Sequence, residues 1–399
     1  MGRGMQRLEK SRVFVAICAF MLIPLCGCSS LPNSGPSAGD VAQQQANAEQ
    51  GQRYLVVDID GSAVEALKRR GFDSFSARFG DRNISAEPVI GVGDSVSVTI
   101  WEASSGGLFS APLVSGISSG SNSATIPEQI VGRDGAITVP YAGRIRVAGK
   151  TTRAVQRTIE AALEGKAIQP QVLVNDTRPV SNSVSVGGEV ATGARIPLSV
   201  KGDRLLDVLA AAGGVRAPVN ETFVELSRGP TTFRVPLTRV IANPRENIYL
   251  HPNDVLTLVR DPQTFIAYGA TGRNAEIPFD ADGITLAQAV AKAGGLLDNR
   301  SDPQGVFIFR YELDSVARQL RPDSPLVERG RLTPVVYRLN LADANSLFLE
   351  QSFHIANRDL LYVSNSPSTN VQKVFDIIGG GISTVGAAAN VVTAASTIK

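Results

Sequence analysis

One stretch of this 399-residue chain occurs twice, and any fold must accommodate both copies. The first copy reads Gly187-Gly188-Glu189-Val190, then Arg195-Ile196-Pro197-Leu198, then a run from Leu205 to Gly213-Gly214. The second reads Tyr268-Gly269-Ala270-Thr271, then Glu276-Ile277-Pro278-Phe279, then a run from Leu286 to Gly294-Gly295. Gly188 and Gly269, Pro197 and Pro278, Leu205 and Leu286, and Gly213 and Gly294 are each 81 residues apart. Landmarks kept in one register mark tandem structural units.

Each copy predicts the same local structure. A short strand ends at a glycine turn. A second strand carries Ile-Pro, and Pro suits a strand end or edge. Asp203 or Thr285 then occupies an N-cap position. Leu205, Leu209 and Ala212, like Leu286, Val290 and Ala293, fall on one helical face. Gly213-Gly214 and Gly294-Gly295 end the helix, because Gly enters the left-handed conformation without a Cβ penalty. The unit is a β-β-α grasp whose helix covers a sheet. Its glycines follow helices, whereas a phosphate-binding loop precedes one, which argues against a nucleotide cradle.

A hydrophobic fraction of 43% with 19% charged residues describes a globular chain, and this length predicts several domains. Residues 1–27 hold Arg3, Arg7, Lys10 and Arg12 against Glu9, which leaves 35 basic and 36 acidic residues in the remainder. No basic footprint for nucleic acid remains. After the basic start, the apolar run Val13–Leu25 is short for a membrane span and fits a secretory signal peptide. It ends Leu25-Cys26-Gly27-Cys28-Ser29, which resembles the bacterial lipobox. That resemblance implies cleavage after Gly27, lipidation of Cys28 and, with Ser29 next, sorting to the outer membrane. Cys18, Cys26 and Cys28 are the only cysteines, so the mature chain is expected to hold no disulfide despite an oxidising compartment. Residues 28–52, rich in Ser, Pro, Gly, Gln and Ala, read as a tether.

Order is expected from a strand at Tyr54–Ile59, followed by a short helix capped by Ser62 with Glu65. Gly93-Asp94 leads into alternating Val96, Val98 and Ile100, a strand with one buried face. Residues 103–127 read as a long mobile Ser/Gly loop. Val131–Ile145 reads as a hairpin with Asp134-Gly135 at its turn. Thr151-Thr152 opens a helix with Val155, Ile159 and Leu163 inward and Gly165 at its end, and a strand follows at Gln171–Val174. This order resembles the polysaccharide export domain: Gly-Asp before Val-x-Val-x-Ile-Trp, then Val-Gly-x-Asp-Gly-x-Ile-x-Val-Pro-x-x-Gly, then a Thr-opened helix. The two repeats resemble the soluble ligand-binding β-grasp modules that follow that domain. Together they resemble the outer-membrane polysaccharide export lipoproteins, and within them the capsule exporters.

The expected fold class is α+β, several small β-grasp-like domains in series with a C-terminal amphipathic helix. Its segments are a signal peptide (1–27), the tether (28–52), the export domain (53–180), the first repeat (181–262), the second repeat (263–365) and the tail (366–399). Each repeat has a descending half with an Asp at a turn before a closing strand, Asp254-Val255 in the first and Asp359-Leu360 in the second. The second copy is longer by about two dozen residues near 312–335, read as a surface excursion.

In the tail, Val371, Val374, Ile378, Ile382, Val385, Ala389 and Val392 are spaced by three and four, one face of a helix. The opposite stripe carries Lys373, Asp376, Gly380, Ser383, Ala387, Asn390 and Thr397. A helix with a polar face crosses a bilayer only in company, with polar faces toward water and apolar faces toward lipid. The family resemblance implies this arrangement: a homo-oligomeric ring of about eight copies whose tails form an α-helical barrel in the outer membrane. It also implies a polysaccharide substrate, an inner-membrane co-polymerase and an exporter of the ATP-binding cassette type. The residues alone leave open two other tail structures, a helix packed on its own domain and a frayed terminus. They also leave open a periplasmic glycan-binding or adaptor lipoprotein that forms no pore.

No enzyme is expected. Gly116-Ile117-Ser118-Ser119-Gly120 matches a nucleophile elbow by letter but lacks the strand-turn-helix context. Only His251 and His354 are present, and neither metal-ligand spacing nor a Walker A sequence appears, so no cofactor is expected. Asp134, Asp254 and Asp359 read as turn residues. Trp101, at a strand end, reads as core, with stacking on a sugar ring as the other role open to it. Cys28→Ser is expected to abolish acyl labelling of the protein and to move it out of the outer-membrane fraction; retained acylation would show that the lipobox reading is wrong.

Overall fold

The computed structural model describes residues 35–46, 54–68, 74–82, 87–103, 108–109 and 123–367. Gly27, Cys28, Val371, Lys373, Val374, Asp376, Ile378, Ile382, Ser383, Val385, Asn390 and Val392 lie outside these residues. Among the described residues no helix is long and apolar enough to cross a membrane. Two compact units form, one of residues 72–262 with 280–282 and one of residues 1–71, 263–279 and 283–399.

The chain begins with helix α1 (Ala38–Ala46), strand β1 (Leu55–Asp58) and helix α2 (Gly61–Lys68), all part of the unit that also contains the second repeat. Asp60, rather than Ser62, heads α2: its carboxylate accepts from the Ala63 N–H at 2.8 Å and from the Ser62 hydroxyl at 2.7 Å. Short helix α3 (Phe75–Phe79) opens the other unit.

In that unit the export domain is a three-stranded antiparallel sheet of β2 (Ser95–Trp101), β3 (Ser123–Ile130) and β6 (Gln171–Arg178), in the order β3-β2-β6. A hairpin, β4 (Ala136–Val139) with β5 (Gly143–Arg146), and helix α4 (Thr152–Leu163) cover its inner face. Val96, Val98 and Ile100 alternate inward as the pattern dictates, against Val155, Ile159 and Leu163 of α4. Each of these aliphatic side chains contributes about 1.5–3 kcal/mol on full burial. Thr151 caps α4, its hydroxyl accepting from the Ala154 N–H at 3.2 Å. Two expectations are corrected here. The hairpin turns at Pro140-Tyr141-Ala142, and the Asp134-Gly135 turn instead precedes β4, with the Gly135 carbonyl accepting from Val147 and Ala148. The stretch expected as loop to 127 is strand from Ser123, because pairing with β2 supplies partners for its backbone.

The first repeat follows in the same unit: β7 (Ser183–Gly188), β8 (Ala194–Pro197), helix α5 (Leu205–Ala211), β9 (Thr222–Arg228), β10 (Thr231–Pro236), helix α6 (Leu237–Ala242) and β11 (Val255–Arg260). Its sheet runs β10-β9-β11-β7-β8, with β11 parallel to β7 and the other neighbours antiparallel. The cap of α5 falls on Arg204, because Asp203 is spent on the Ser199 N–H and hydroxyl.

The second repeat carries β12 (Gln263–Gly269), β13 (Ala275–Phe279), β14 (Ile284–Thr285), helix α7 (Leu286–Lys292), β15 (Ser301–Glu312), helix α8 (Asp314–Leu320), β16 (Thr333–Leu339), helix α9 (Ser346–Ser352), β17 (His354–Ile355) and β18 (Leu360–Asn365). Its sheet runs β1-β16-β15-β18-β12-β13, the order of the first repeat with one strand added. Thr285 caps α7 in a reciprocal pair with Gln288. The added strand is β1, parallel to β16 with Leu55 opposite Val335, and Arg338 clasps Asp58 at 2.6 and 3.0 Å. Residues 54–68, assigned by sequence to the export domain, therefore build the second repeat; Leu55, Val57, Ala63 and Val64 lie in its core. The insertion near 312–335 is not a bare surface excursion either. Its helix α8 buries Val316 and Ala317, and Ala317 belongs to the same core.

The 81-residue period persists in hydrogen bonding. Thr192 N–H donates to Ala212 as Arg273 N–H donates to Ala293, and Ala191 N–H donates to Gly214 as Gly272 N–H donates to Gly295. Gly188 (φ 83°) and Gly269 (φ 92°) end the first strands, where a Cβ would collide with the carbonyls of Leu258 and Val363 in the closing strands. Gly188→Ala should lower stability by about 2 kcal/mol or more, from strain plus overlap. Gly187→Ala, where a Cβ meets open space, should change it by about 0.5 kcal/mol at most. Denaturant unfolding of both variants checks this, and equal losses would refute the close-approach argument.

Candidate functional site

Three aspartates organise the sheets. Asp94, Asp254 and Asp359 are fully buried, and each accepts from the N–H three residues before it: Gly91 at 2.6 Å, His251 at 2.8 Å and Ala356 at 2.8 Å. The residue before each, Gly93, Asn253 and Arg358, has a positive φ of 93°, 68° and 67°. In the repeats an arginine completes the carboxylate. Arg228 donates through Nε and Nη2 to Asp254 and through Nη2 to the Tyr249 carbonyl. Arg310 does the same with Asp359 and the His354 carbonyl. At the export-domain turn the N–H and hydroxyl of Ser181, the first residue of the first repeat, replace the arginine, each at 2.7 Å from Asp94. These are charge-assisted bonds, roughly twice as strong as neutral ones. They hold turns and leave no carboxylate free for acid/base chemistry.

The second repeat elaborates this cluster. Arg310 also donates to Glu312 at 3.3 Å, Tyr337 donates its hydroxyl to Glu312 at 2.9 Å, and the guanidinium lies over the Tyr337 and Phe353 rings. Burial, and next the Glu312 carboxylate, raise the Tyr337 hydroxyl above the ordinary tyrosine value. Two buried acids around one arginine form a rigid strut.

A cavity of about 380 Å³ lies where the export domain meets the first repeat, lined by Val89, Ile90, Leu198, Leu250 and Pro252 among others. That volume would suit a small ligand. Three of its polar side chains are committed elsewhere, however: Ser181 to Asp94, Asn182 to the Leu198 carbonyl and Ser199 to Asp203. The cavity is a seam between two cores.

Trp101 is not core: it is 39% exposed at the end of β2. The next residue, Glu102, is buried, and its carboxylate accepts from the N–H groups of Leu108, Phe109 and Ile168 at 3.1, 2.7 and 3.1 Å. Burial alone would raise this acid, but the three donors outweigh it and hold it below the ordinary glutamate value. The end of β2 is thereby fixed. No signal in the sequence separates an exposed Trp from a buried one at a strand end. Of the repeat glycines, Gly213, Gly214, Gly294 and Gly295 all have positive φ at the ends of α5 and α7. Among the described residues no cluster of metal-ligating side chains occurs.

Residues 83–175 match the family of polysaccharide biosynthesis/export proteins, and residues 263–363 match the SLBB domain. The chain is 38% identical over 366 residues to the capsule polysaccharide export outer membrane protein CtrA of Neisseria meningitidis serogroup B, covering 91% of this chain and 92% of that one. It is 37% identical over 374 residues to the capsule polysaccharide export protein BexD of Haemophilus influenzae, covering 91% and 94%. With the Vi polysaccharide export protein VexA/TviF of Salmonella typhi it shares 30% over 284 residues, covering 71% and 75%. An export domain followed by grasp modules thus defines the class. This chain belongs to the polysaccharide export protein family, and its relatives include the capsule polysaccharide export outer membrane proteins.

Within the export domain, Asp176 lies opposite Val96 of β2, and burial, followed by the nearby Asp94 charge, pushes its carboxyl up to about 6. The ordinary value is 3.8, so the unfolded chain ionises first. Stability is therefore lost as pH rises through this window and stays lost above it. Asp176→Asn should melt above the wild type at about pH 7.5, with the difference closing toward about pH 4. A difference independent of pH would rule out this cause.

Proposed function

We propose that the protein is a lipid-anchored outer-membrane subunit that carries capsular or related polysaccharide out of the cell without performing chemistry on it. Copies assemble into a ring of about eight around a hydrated periplasmic cavity. The tails of residues 366–399 cross the outer membrane as an α-helical barrel, with Lys373, Asp376, Ser383 and Asn390 toward water and Val371, Val374, Ile378, Ile382, Val385 and Val392 toward lipid. An inner-membrane co-polymerase and a transporter of the ATP-binding cassette type supply polymer and energy.

The names of the relatives support polysaccharide export and the outer membrane. The observation that carries the membrane arrangement is a contact between the two ends of one unit. Tyr362, in the last strand, donates its hydroxyl to the Pro36 carbonyl at 2.8 Å. Cys28 lies eight residues before Pro36, a reach of at most roughly 28 Å at the extended length per residue. The tail departs just beyond Asn365, where β18 ends. Pro36 and the strand that leads into the tail are thus neighbours, which supports the reading that an acylated Cys28 and the tail serve one membrane, two signals where one acyl chain is weak.

Deleting residues 371–399 is expected to abolish surface polysaccharide while the truncated protein keeps the unfolding transition of the full chain. An epitope placed after Lys399 should be labelled on intact cells. Export by the truncated protein, or labelling only after permeabilisation with export intact, would replace the pore with a periplasmic adaptor.

A further inference from the structure

The face of the β3-β2-β6 sheet turned away from the core is built from an unusual set of side chains. Pairing places Trp101 opposite Gln171, and Thr99 opposite both Leu173 and Thr125, while Asn175 lies opposite Ser97 one row on. Directly paired residues share a face, so these side chains form adjacent rows, with strands about 4.8 Å apart. Trp101 is 39% exposed and Leu173 40% exposed. The Thr99 and Thr125 hydroxyls lie 3.3 Å apart. None of these seven carries a charge; one row further, Ser95 pairs with Ile130 and Arg178, and the Glu128 carboxylate is occupied by Thr177 at 2.9 Å. Both neighbours of β2 pair along its length, and Glu102 fixes its end, so the indole stands on a rigid support.

We infer that this face is a carbohydrate-binding platform, on which Trp101 stacks against the apolar face of a pyranose ring and Thr99, Thr125, Gln171 and Asn175 exchange hydrogen bonds with ring hydroxyls. This rests on the polysaccharide-carrier reading above. The charge balance selects the occupant. A nucleic acid or an anionic bilayer would demand a cluster of Lys and Arg, whereas these rows lack both and Arg178 stands alone one row beyond. The centre of a protein interface would carry more apolar surface than one indole and one Leu, with Ile130 set apart at the far end of the face. A polyhydroxylated chain matches an aromatic ring flanked by uncharged donors and acceptors. As an open sheet face, it would hold an internal stretch of polymer and require no chain end.

Trp101 is the chain's only tryptophan, so all indole emission reports this one position. The full-length protein in detergent is titrated with sized oligosaccharides cut from the surface polysaccharide of cells carrying this gene, following emission and acrylamide quenching. Bound saccharide should shift the emission and protect it from quencher. The paired variant Thr99→Val with Thr125→Val keeps the reporter and should weaken binding about tenfold or more. Trp101→Ala, checked for an unchanged melting transition, should lose binding by calorimetry to a similar extent. Calorimetric binding with Trp101 emission unaltered, or no binding by either measurement, would overturn the platform. The carrier reading is judged separately, by whether cells lacking the gene lose their surface polysaccharide, so either reading can fail without the other.

Discussion

A buried carboxylate gripping its own turn is the interaction on which each sheet depends. Asp94, Asp254 and Asp359 stand immediately before β2, β11 and β18, and each of these strands lies inside its sheet with partners on both sides. Fixing that turn sets the register of the inner strand, and a slip of one residue would turn its apolar side chains outward. The register in turn brings the carbonyls of Leu258 and Val363 against Gly188 and Gly269. Glycine at those two positions and aspartate at the turn are two ends of one constraint.

The repeats share this constraint and differ in how heavily they invest in it. Arg228 retains partial exposure beside Asp254, whereas Arg310 is almost wholly enclosed with Asp359, Glu312 and Tyr337. Breaking a buried pair by removing one partner leaves an uncompensated charge, a loss of about 3–5 kcal/mol. The second repeat also gains an edge strand and an extra core helix, and it is the repeat from which the tail departs.

Local features were legible in the sequence where a short period or a single residue determined them. The alternation of Val96, Val98 and Ile100, the inward stripe of Val155, Ile159 and Leu163, and the Thr151 and Thr285 caps all read directly into structure. Failures arose where distant partners decided the outcome. Asp203 has capping chemistry, but Ser199 claims it. Asp134-Gly135 has hairpin chemistry, but the strands it would join are not the ones that pair. Residues 123–127 are strand because β2 lies beside them, which the Ser/Gly-rich stretch leading into them masks in the sequence. Nothing local marks Leu55–Asp58 as the edge of a sheet built some 280 residues later, and nothing local exposes Trp101.

That edge strand has a consequence for how the molecule is made. Leu55 precedes its partner Val335 by 280 residues, so in a chain delivered from its N-terminus β1 has no partner while the export domain and first repeat are being completed. Domains generally fold as units from the N-terminus, yet this module cannot close until nearly the whole chain has been delivered. Long-range parallel pairing is also slow, since loop closure must precede any gain from contact. The last module to mature is the one that joins the earliest described strand to the strand from which the tail departs. The topology thus makes arrival of β16 a condition for closing this sheet: a chain that ends before Thr333 leaves β1 unpaired, an open edge of the kind that chaperones and proteases meet.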